Sequence, residues 1–172
     1  MLGDTSETIL CRFDGSANEP RWRAINDEVM GGESEGEPLV HDGRLIFRGE
    51  TSLANNGGFS SIRASVRHYD LSAFNAISLA VKGDGRRYQF RLYTSARYGS
   101  SRIAYRGQFD TRAGQWQTIT LPFTDLQPVF RGRRLSGPPF DPSDVVELGF
   151  LIADRREGPF ELVIDRIEAT TG

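Results

Sequence analysis

The chain has 172 residues, of which 38% are hydrophobic and 26% are charged, a composition that excludes global disorder and suits one domain. No apolar run is long enough to cross a bilayer, and the lone cysteine, Cys11, excludes an internal disulfide. The formal net charge of −2 does not favour nucleic-acid binding, which usually accompanies net basicity. We therefore expect a single domain over residues 1–172, with no nucleic-acid partner and no membrane insertion.

The first thirteen residues predict the location of the protein. They include Asp4 and Glu7 and contain no basic region followed by an apolar stretch, so they do not resemble a signal peptide. With a single cysteine, this predicts a cytoplasmic location. Only Lys82 among the 21 basic residues is a lysine. This preference for arginine indicates a GC-rich, bacterial coding sequence.

Strands with one buried face are predicted along most of the chain, because apolar and polar residues alternate with period two. The predicted strands span 9–13, a segment begun by Trp22, 44–48, 61–67, 76–81, 88–93, 103–109, 115–122, 146–153 and 160–169. Turn signals separate them, and only 125–127 could start a short helical turn. Many short strands without helices predict an all-β fold, an antiparallel jelly-roll β-sandwich.

Charge is unevenly distributed along the chain. The net charge is −6 over residues 1–60, +9 over 61–140 and −5 over 141–172. One interpretation is that oppositely charged segments lie side by side in the fold, which is the commoner case. The other is a basic face for an anionic partner. The arginine-rich stretch at 131–134 is expected to be a solvated loop.

Two loops rich in asparagine and glycine are candidates for a ligand or partner site. The first contains Asn26 and Asp27, and the second contains Asn55 and Asn56. Such side chains often bond to nearby backbone and close a loop, which is the favoured interpretation. The alternative is that both loops converge at one end of the sheet and form a polar pocket.

Five polar or aromatic side chains occupy the non-core phase of three predicted strands. They are Arg63, Gln89, Arg91, Tyr93 and Arg106. If the strands share a sheet, these side chains line the face opposite the core, where they could bind a ligand or partner. The alternative is a solvated face on which the arginines pair with carboxylates across strands.

Catalytic and metal-binding motifs are absent from the sequence. His41 and His68 lie in no recognisable catalytic arrangement, and there is no P-loop or nucleophile elbow. Asp14, Asn18 and Asp165 could offer oxygen ligands to calcium, but calcium needs six to eight of them. We therefore expect no enzyme activity, no metal and no cofactor.

Several motifs together resemble those of a known family. They are the run 22–34, Phe47-Arg48-Gly49, the stretch 55–63, Trp116, Leu121-Pro122-Phe123, Phe130-Arg131-Gly132 and 158–162. The chain resembles the thirty-kilodalton complex I intermediate-associated protein family over nearly its whole length. The resemblance implies a galactose-binding-like β-sandwich, related in shape to carbohydrate-binding modules, and a role like that of respiratory complex I assembly factors.

Two functions follow from this resemblance. The first is a non-catalytic interaction domain whose partner is a protein, such as a subunit of a respiratory or membrane complex. The second is a module that binds a saccharide or another small ligand on its polar sheet face.

Overall fold

The structure is a computed structural model that describes residues 7–14, 19–26, 32, 34–54, 58–131 and 133–171. Within these residues the chain forms thirteen β-strands and one 3-10 turn, Phe123–Asp125. The strands are β1 (Glu7–Cys11), β2 (Trp22–Asn26), β3 (Glu35–His41), β4 (Arg44–Thr51), β5 (Ser60–Tyr69), β6 (Ala76–Lys82), β7 (Arg87–Tyr98), β8 (Ser101–Asp110), β9 (Trp116–Pro122), β10 (Gln127–Phe130), β11 (Arg133–Arg134), β12 (Val145–Ile152) and β13 (Gly158–Thr170). No helix in this part of the chain is long and apolar enough to span a membrane.

The strands form two sheets in which all the neighbouring strands are antiparallel. Sheet I has the order β3-β4-β13-β6-β9, and β1 also pairs with β13. Because β13 is 13 residues long, β4 pairs with its first half and β1 with its second half. Sheet II has the order β11-β10-β8-β7-β12-β5-β2.

The core lies between the two sheets and contains the apolar phase of nearly every strand. In β7, Tyr88, Phe90 and Leu92 are fully buried, as their alternation with polar residues predicts. Aromatic rings connect the layers, with 6.4 Å between the ring centroids of Phe47 on β4 and Tyr88 on β7. Such tilted aromatic pairs stabilise a core beyond their buried area. The predicted jelly-roll β-sandwich is confirmed.

Edge strands account for the differences between the predicted and observed elements. Strand β3 was not predicted, since Gly36 and Pro38 interrupt its pattern, but proline is tolerated in a strand at the edge of a sheet. Strands β10 and β11 form a hairpin, so Arg133 and Arg134 lie in a strand and not in the expected loop, although both are exposed as expected. The hairpin forms because β10 pairs with β8 and buries Val129 completely.

A buried ion pair connects the start of β7 to the chain before β13. Arg86 is 5% exposed, and its guanidinium donates to both oxygens of Asp154, at 2.9 and 2.6 Å. The same group donates to Thr51 Oγ1 at 3.0 Å and to the carbonyl oxygens of Gly158 and Pro159. Buried charge is tolerated here because the carboxylate and the hydrogen bonds compensate it.

Candidate functional site

One row of arginines crosses sheet II on the face opposite the core. Strand register pairs Arg23 with Arg63, Arg63 with Gly149, Gly149 with Arg91, and Arg91 with Arg106. Side chains directly opposite each other across strands lie about 5 Å apart on one face. Arg63, Arg91 and Arg106, here called the arginine row, were predicted from the sequence to share this face, and the structure brings them together.

Gln89 and Tyr93 flank the arginine row on either side, as expected from their phase in β7. Arg91 is 8% exposed, and its Nε donates to Gln89 Oε1 at 2.9 Å. The guanidinium carbon of Arg63 lies 4.6 Å from the centroid of the Tyr93 ring, which is the geometry of a cation–π contact. Tyr93 is only 2% exposed and also packs against Ala104. Both predicted neighbours therefore hold arginines in place.

Gly149 lies beside the contact between Arg63 and Tyr93 and leaves space for it. It lies on β12, the strand between them, and a Cβ there would be 3.2 Å from the carbonyl oxygen of Ile62. The same Cβ would be 3.5 Å from Arg63 Cγ and from Tyr93 Cε1. A glycine inside an apolar strand indicates a close approach, and this signal was present in the sequence but not used.

The arginine row has no carboxylate partner among the described residues. Two other arginines on the same face do have one. Glu147, which is 3% exposed, accepts from Arg23 Nη2 at 2.8 Å and lies 3.6 Å from Arg102 Nη1. The sequence did not predict these three residues as part of the site, because they come together only through the pairing of strands that are distant in the chain.

Sheet I provides a direct contrast. On its outer side the arginines pair with carboxylates, as a solvated sheet face predicts. The pairs are Arg44 with Asp165 at 3.2 Å, Arg48 with Glu37 at 3.7 Å, and Arg166 with Glu168 at 3.2 Å. Pairing of arginines with carboxylates, across strands or along one strand, therefore describes sheet I and not the arginine row.

Neighbouring positive charges act on Arg106. The pKa of Arg106 lies below its usual value, first because of burial and then because of the charges of Arg91 and Arg134. Arg134 reaches this face because β11 pairs with β10 at the edge of sheet II. A cluster of like charges in a partly desolvated position favours an anion, which would relieve the repulsion.

The uneven charge along the sequence separates onto the two sheets. Five of the seven strands of sheet II come from the basic segment 61–140, whereas four of the six strands of sheet I come from the acidic ends. Both interpretations hold in part, because Arg86–Asp154 and Arg102–Glu147 join the basic and acidic segments while the arginine row on sheet II has no such partner among the described residues.

A groove of about 660 Å³ on the sheet I side is acidic. Its charged lining residues are Glu35, Glu37, Arg48, Asp84 and Glu161. Asp84 is engaged within the fold, since its carboxylate accepts from the Tyr88 hydroxyl at 3.0 Å and from the Glu161 backbone N–H at 2.8 Å. These contacts fit a structural role for the carboxylate.

The first asparagine-rich loop begins with a side chain that closes it. Asn26 Nδ2 donates to the carbonyl oxygen of Gly36 at 3.3 Å, and its Oδ1 accepts from Ser60 Oγ at 2.5 Å. These contacts support the loop-closing interpretation. The other predicted loop residues, Asp27, Asn55 and Asn56, lie outside the described residues. A shared pocket between the two loops stays a prediction.

One cluster superficially resembles a catalytic triad but has the wrong order. Asp144 accepts from the backbone N–H and hydroxyl of Ser95, and it lies 2.9 Å from His68 Nε2. The carboxylate thus stands between serine and histidine, and the histidine is not in position to take the hydroxyl proton. His41 Nε2 lies 3.2 Å from Oδ2 of the exposed Asp42.

The calcium ligands considered from the sequence do not converge in the described part of the chain. No group of three or more histidine, cysteine, aspartate or glutamate residues there is placed to hold a metal ion. Asp165 pairs with Arg44, and Asn18 lies outside the described residues.

Comparison with known proteins decides the family. The sequence model of the complex I intermediate-associated protein 30 (CIA30) family matches residues 11–164. The chain belongs to this family. Complex I intermediate-associated protein 30, mitochondrial, of Mus musculus is 32% identical over 95% of this chain and 56% of its own length. The Drosophila melanogaster protein of the same name is 31% identical, over 86% of this chain and 57% of its own length. The chain thus spans just over half of these CIA30 relatives.

Solved structures share the fold of this CIA30 domain. The family 11 carbohydrate-binding module from Clostridium thermocellum, in complex with a β-1,3-1,4-mixed-linked tetrasaccharide, superposes with a TM-score of 0.70. The match covers 99% of this chain and 98% of that one, at 19% identity. At this identity the likeness shows the fold alone, and it confirms the expected similarity in shape to carbohydrate-binding modules.

The same CIA30 relatives correct two predictions. Both the mouse and the fly proteins are mitochondrial, so the predicted cytoplasmic location is wrong. A lone cysteine and the lack of a signal-peptide pattern do not distinguish these compartments. The bacterial origin inferred from the arginine content is not supported either, since these relatives are eukaryotic.

Proposed function

We propose that this chain is a non-catalytic interaction domain that associates with intermediates in the assembly of respiratory complex I. The observation that carries this proposal is the family match over residues 11–164, since the relatives are named for that association. The mitochondrial relatives also support a mitochondrial partner.

The outer face of sheet II is the proposed contact surface. Its arginine row has no carboxylate partner in the described part of the chain, although the arginines of sheet I are paired. Arginine is enriched in protein interfaces, where its planar fork can bind a carboxylate through two hydrogen bonds. The unpaired groups therefore suit a surface that is completed by another molecule.

The proposal of a non-catalytic role rests on the side chains that could act in catalysis. In the cluster of Ser95, Asp144 and His68, the carboxylate lies between the other two groups, and no hydrogen bond joins the serine hydroxyl to the imidazole. Burial raises the pKa of the Cys11 thiol well above its usual range, which disfavours the nucleophilic thiolate.

Saccharide binding is the second candidate, and the fold shared with a carbohydrate-binding module supports it. Sugar rings stack on exposed aromatic faces, however, and Tyr93 is almost fully buried beneath Arg63. The geometry of the outer face of sheet II therefore favours a protein partner.

Affinity capture from a mitochondrial extract tests the proposal. Tagged wild-type chain is expected to retain complex I subunits, identified by mass spectrometry, and Arg91→Glu/Arg106→Glu is expected to lose them. Arg48→Glu/Arg166→Glu makes the same charge change on sheet I and is expected to retain them. Failure of the wild-type chain to capture any complex I subunit would overturn the proposal. Reproducible hits on a glycan array, abolished by Tyr93→Ala, would favour the saccharide candidate.

A further inference from the structure

The arginine row contains hydrogen-bond donors that the fold leaves unused. Arg63 Nε is buried and has no acceptor in the described part of the chain. Arg91 is nearly buried, yet among the described residues its side chain donates only to the neutral oxygen of Gln89, from Nε. Removing a guanidinium from water without an anionic partner is unfavourable. These donors are therefore available to bind an anion from another molecule.

Glu147 shows which anion this surface can hold. Its carboxylate lies between Arg23 of β2 and Arg102 of β8, on the same outer face, and is itself nearly buried. The carboxylate thus spans an arginine from each side of β12 and compensates both. The arginine row lies beside Glu147, level with Gly149, the next outward-facing position on β12. It also consists of guanidinium groups from both sides of β12, but it has no carboxylate between them among the described residues.

The arginine row is recessed in the sheet, and this favours a partner with acidic side chains over a flat anionic surface such as a membrane. Arg91 is recessed, and the side chain of Arg63 passes close to Gly149 and reaches the Tyr93 ring. A lipid surface contacts cations that protrude from a protein, whereas a glutamate or aspartate side chain can reach into the sheet. Tyr93, Ala104 and Val129 form a small buried apolar cluster beside the row, which supports the arginines from within the fold.

We infer that the arginine row binds the carboxylates of an acidic, extended segment of the partner protein. The segment crosses the strands of sheet II, and its carboxylates are held by Arg63, Arg91 and Arg106. The identity of the partner rests on the proposed function, but the chemistry of the site can be tested without it.

Titration of purified full chain with a hexaglutamate peptide is the direct test. The wild-type chain is expected to bind hexaglutamate and not hexaglutamine. Arg91→Gln/Arg106→Gln is expected to weaken binding by about tenfold or more, which corresponds to about 1.4 kcal/mol or more, since charge-assisted hydrogen bonds to the peptide are lost. Arg48→Gln/Arg166→Gln removes two positive charges from sheet I and is expected to bind like the wild type. Equal weakening in both double variants would overturn the inference in favour of a net-charge effect.

Arginine Nε resonances of the wild-type chain provide a readout that does not depend on the folding of a variant. Addition of hexaglutamate is expected to shift the resonances of the arginine row, while those of Arg48 and Arg166 stay in place. Shifts confined to the sheet I arginines would overturn the inference.

Two further arms separate the alternatives. Phosphatidylcholine vesicles containing phosphatidylglycerol are expected not to bind, and binding to them without binding to hexaglutamate would overturn the inference in favour of a membrane.

Hexaglutamate is also expected to compete with captured complex I subunits. Capture that is insensitive to the peptide and to Arg91→Gln/Arg106→Gln would overturn the inference but leave the proposed function intact. Hexaglutamate binding without any capture would support the site and count against the proposed function.

Discussion

At the scale of single residues, Arg86 and Arg87 are neighbours in sequence that lie in opposite environments. Arg86 is buried with Asp154, whereas Arg87 forms an exposed pair with Asp110. Removing one partner of a buried pair leaves an uncompensated charge, so Arg86→Gln is expected to lower the free energy of unfolding by about 3–5 kcal/mol. The matched control Arg87→Gln is expected to leave it nearly unchanged. Urea unfolding measures both, and similar losses would contradict the prediction.

The same ion pair predicts sensitivity to acid. Burial alone would raise the pKa of Asp154, but the hydrogen bond and charge of Arg86 lower it below the usual value of 3.8. Because the folded-state pKa is the lower one, the stabilisation is complete above the unfolded value and is lost as the pH falls through the folded value. Asp154→Asn is therefore expected to be less stable at neutral pH but to lose less further stability in acid. Parallel pH profiles of the urea midpoint would count against this assignment.

Gly149 leads to a prediction about the candidate site. Val at this position would place its branched side chain where Arg63 crosses to Tyr93. Gly149→Val is therefore expected to weaken hexaglutamate binding by about tenfold while the strand still forms, since β-branched residues suit strands. Far-UV circular dichroism and titration check the two parts. Thr118→Val, an exposed position on β9, is the control and is expected to bind normally. Unimpaired binding by Gly149→Val would refute the role of the glycine.

At the scale of elements, Glu147 connects three strands that are not adjacent. Arg23 reaches it from β2 and Arg102 reaches it from β8, each across an intervening strand. Glu147→Gln is expected to increase amide hydrogen exchange in β2, the edge strand, by about tenfold, because local opening becomes easier. Glu168→Gln is the control, since Glu168 pairs with Arg166 of its own strand. Mass spectrometry of exchanged peptides measures the difference, and unchanged protection of β2 would rule out this connection.

The elements also show where pattern-based prediction works. Strands at the centre of a sheet, such as β7 and β12, have a strict apolar phase, because one face must be buried. Strands at the edge of a sheet need not bury one whole face. Strand β3 includes Pro38 and exposed Leu39 and Val40, and β11 has only two residues, both arginines, so neither has an alternating pattern to recognise.

At the scale of the whole molecule, the distribution of charge differs between the two sheets. The acidic groove and paired arginines lie with sheet I, and the arginine row lies on sheet II. Strands that are far apart in the chain become neighbours only through the order of the sheets, so a net charge near zero conceals a basic face. Net charge alone is therefore a poor guide to the partner of this domain.

The placement of possible metal ligands across the molecule leads to a prediction about calcium. Calcium requires six to eight oxygen ligands, and no group of three or more candidate residues converges in the described ranges. The thermal unfolding midpoint is therefore expected to be unchanged by a chelator or by added calcium. Differential scanning calorimetry measures it. An upward shift with calcium that a chelator reverses would show a site that includes residues such as Asn18.

The amino-acid sequence by itself determined the fold class, the apolar phase of the central strands and the family, because these depend on periodicity and local motifs. It also placed Gln89, Arg91 and Tyr93 on the outer face of one strand. Only the tertiary structure decided which residues join them. Strand order brought Arg63 and Arg106 into the same row, and the separate sheets kept most carboxylates away from it. Pairing between distant strands depends on the packing of the whole sandwich, which no local pattern encodes.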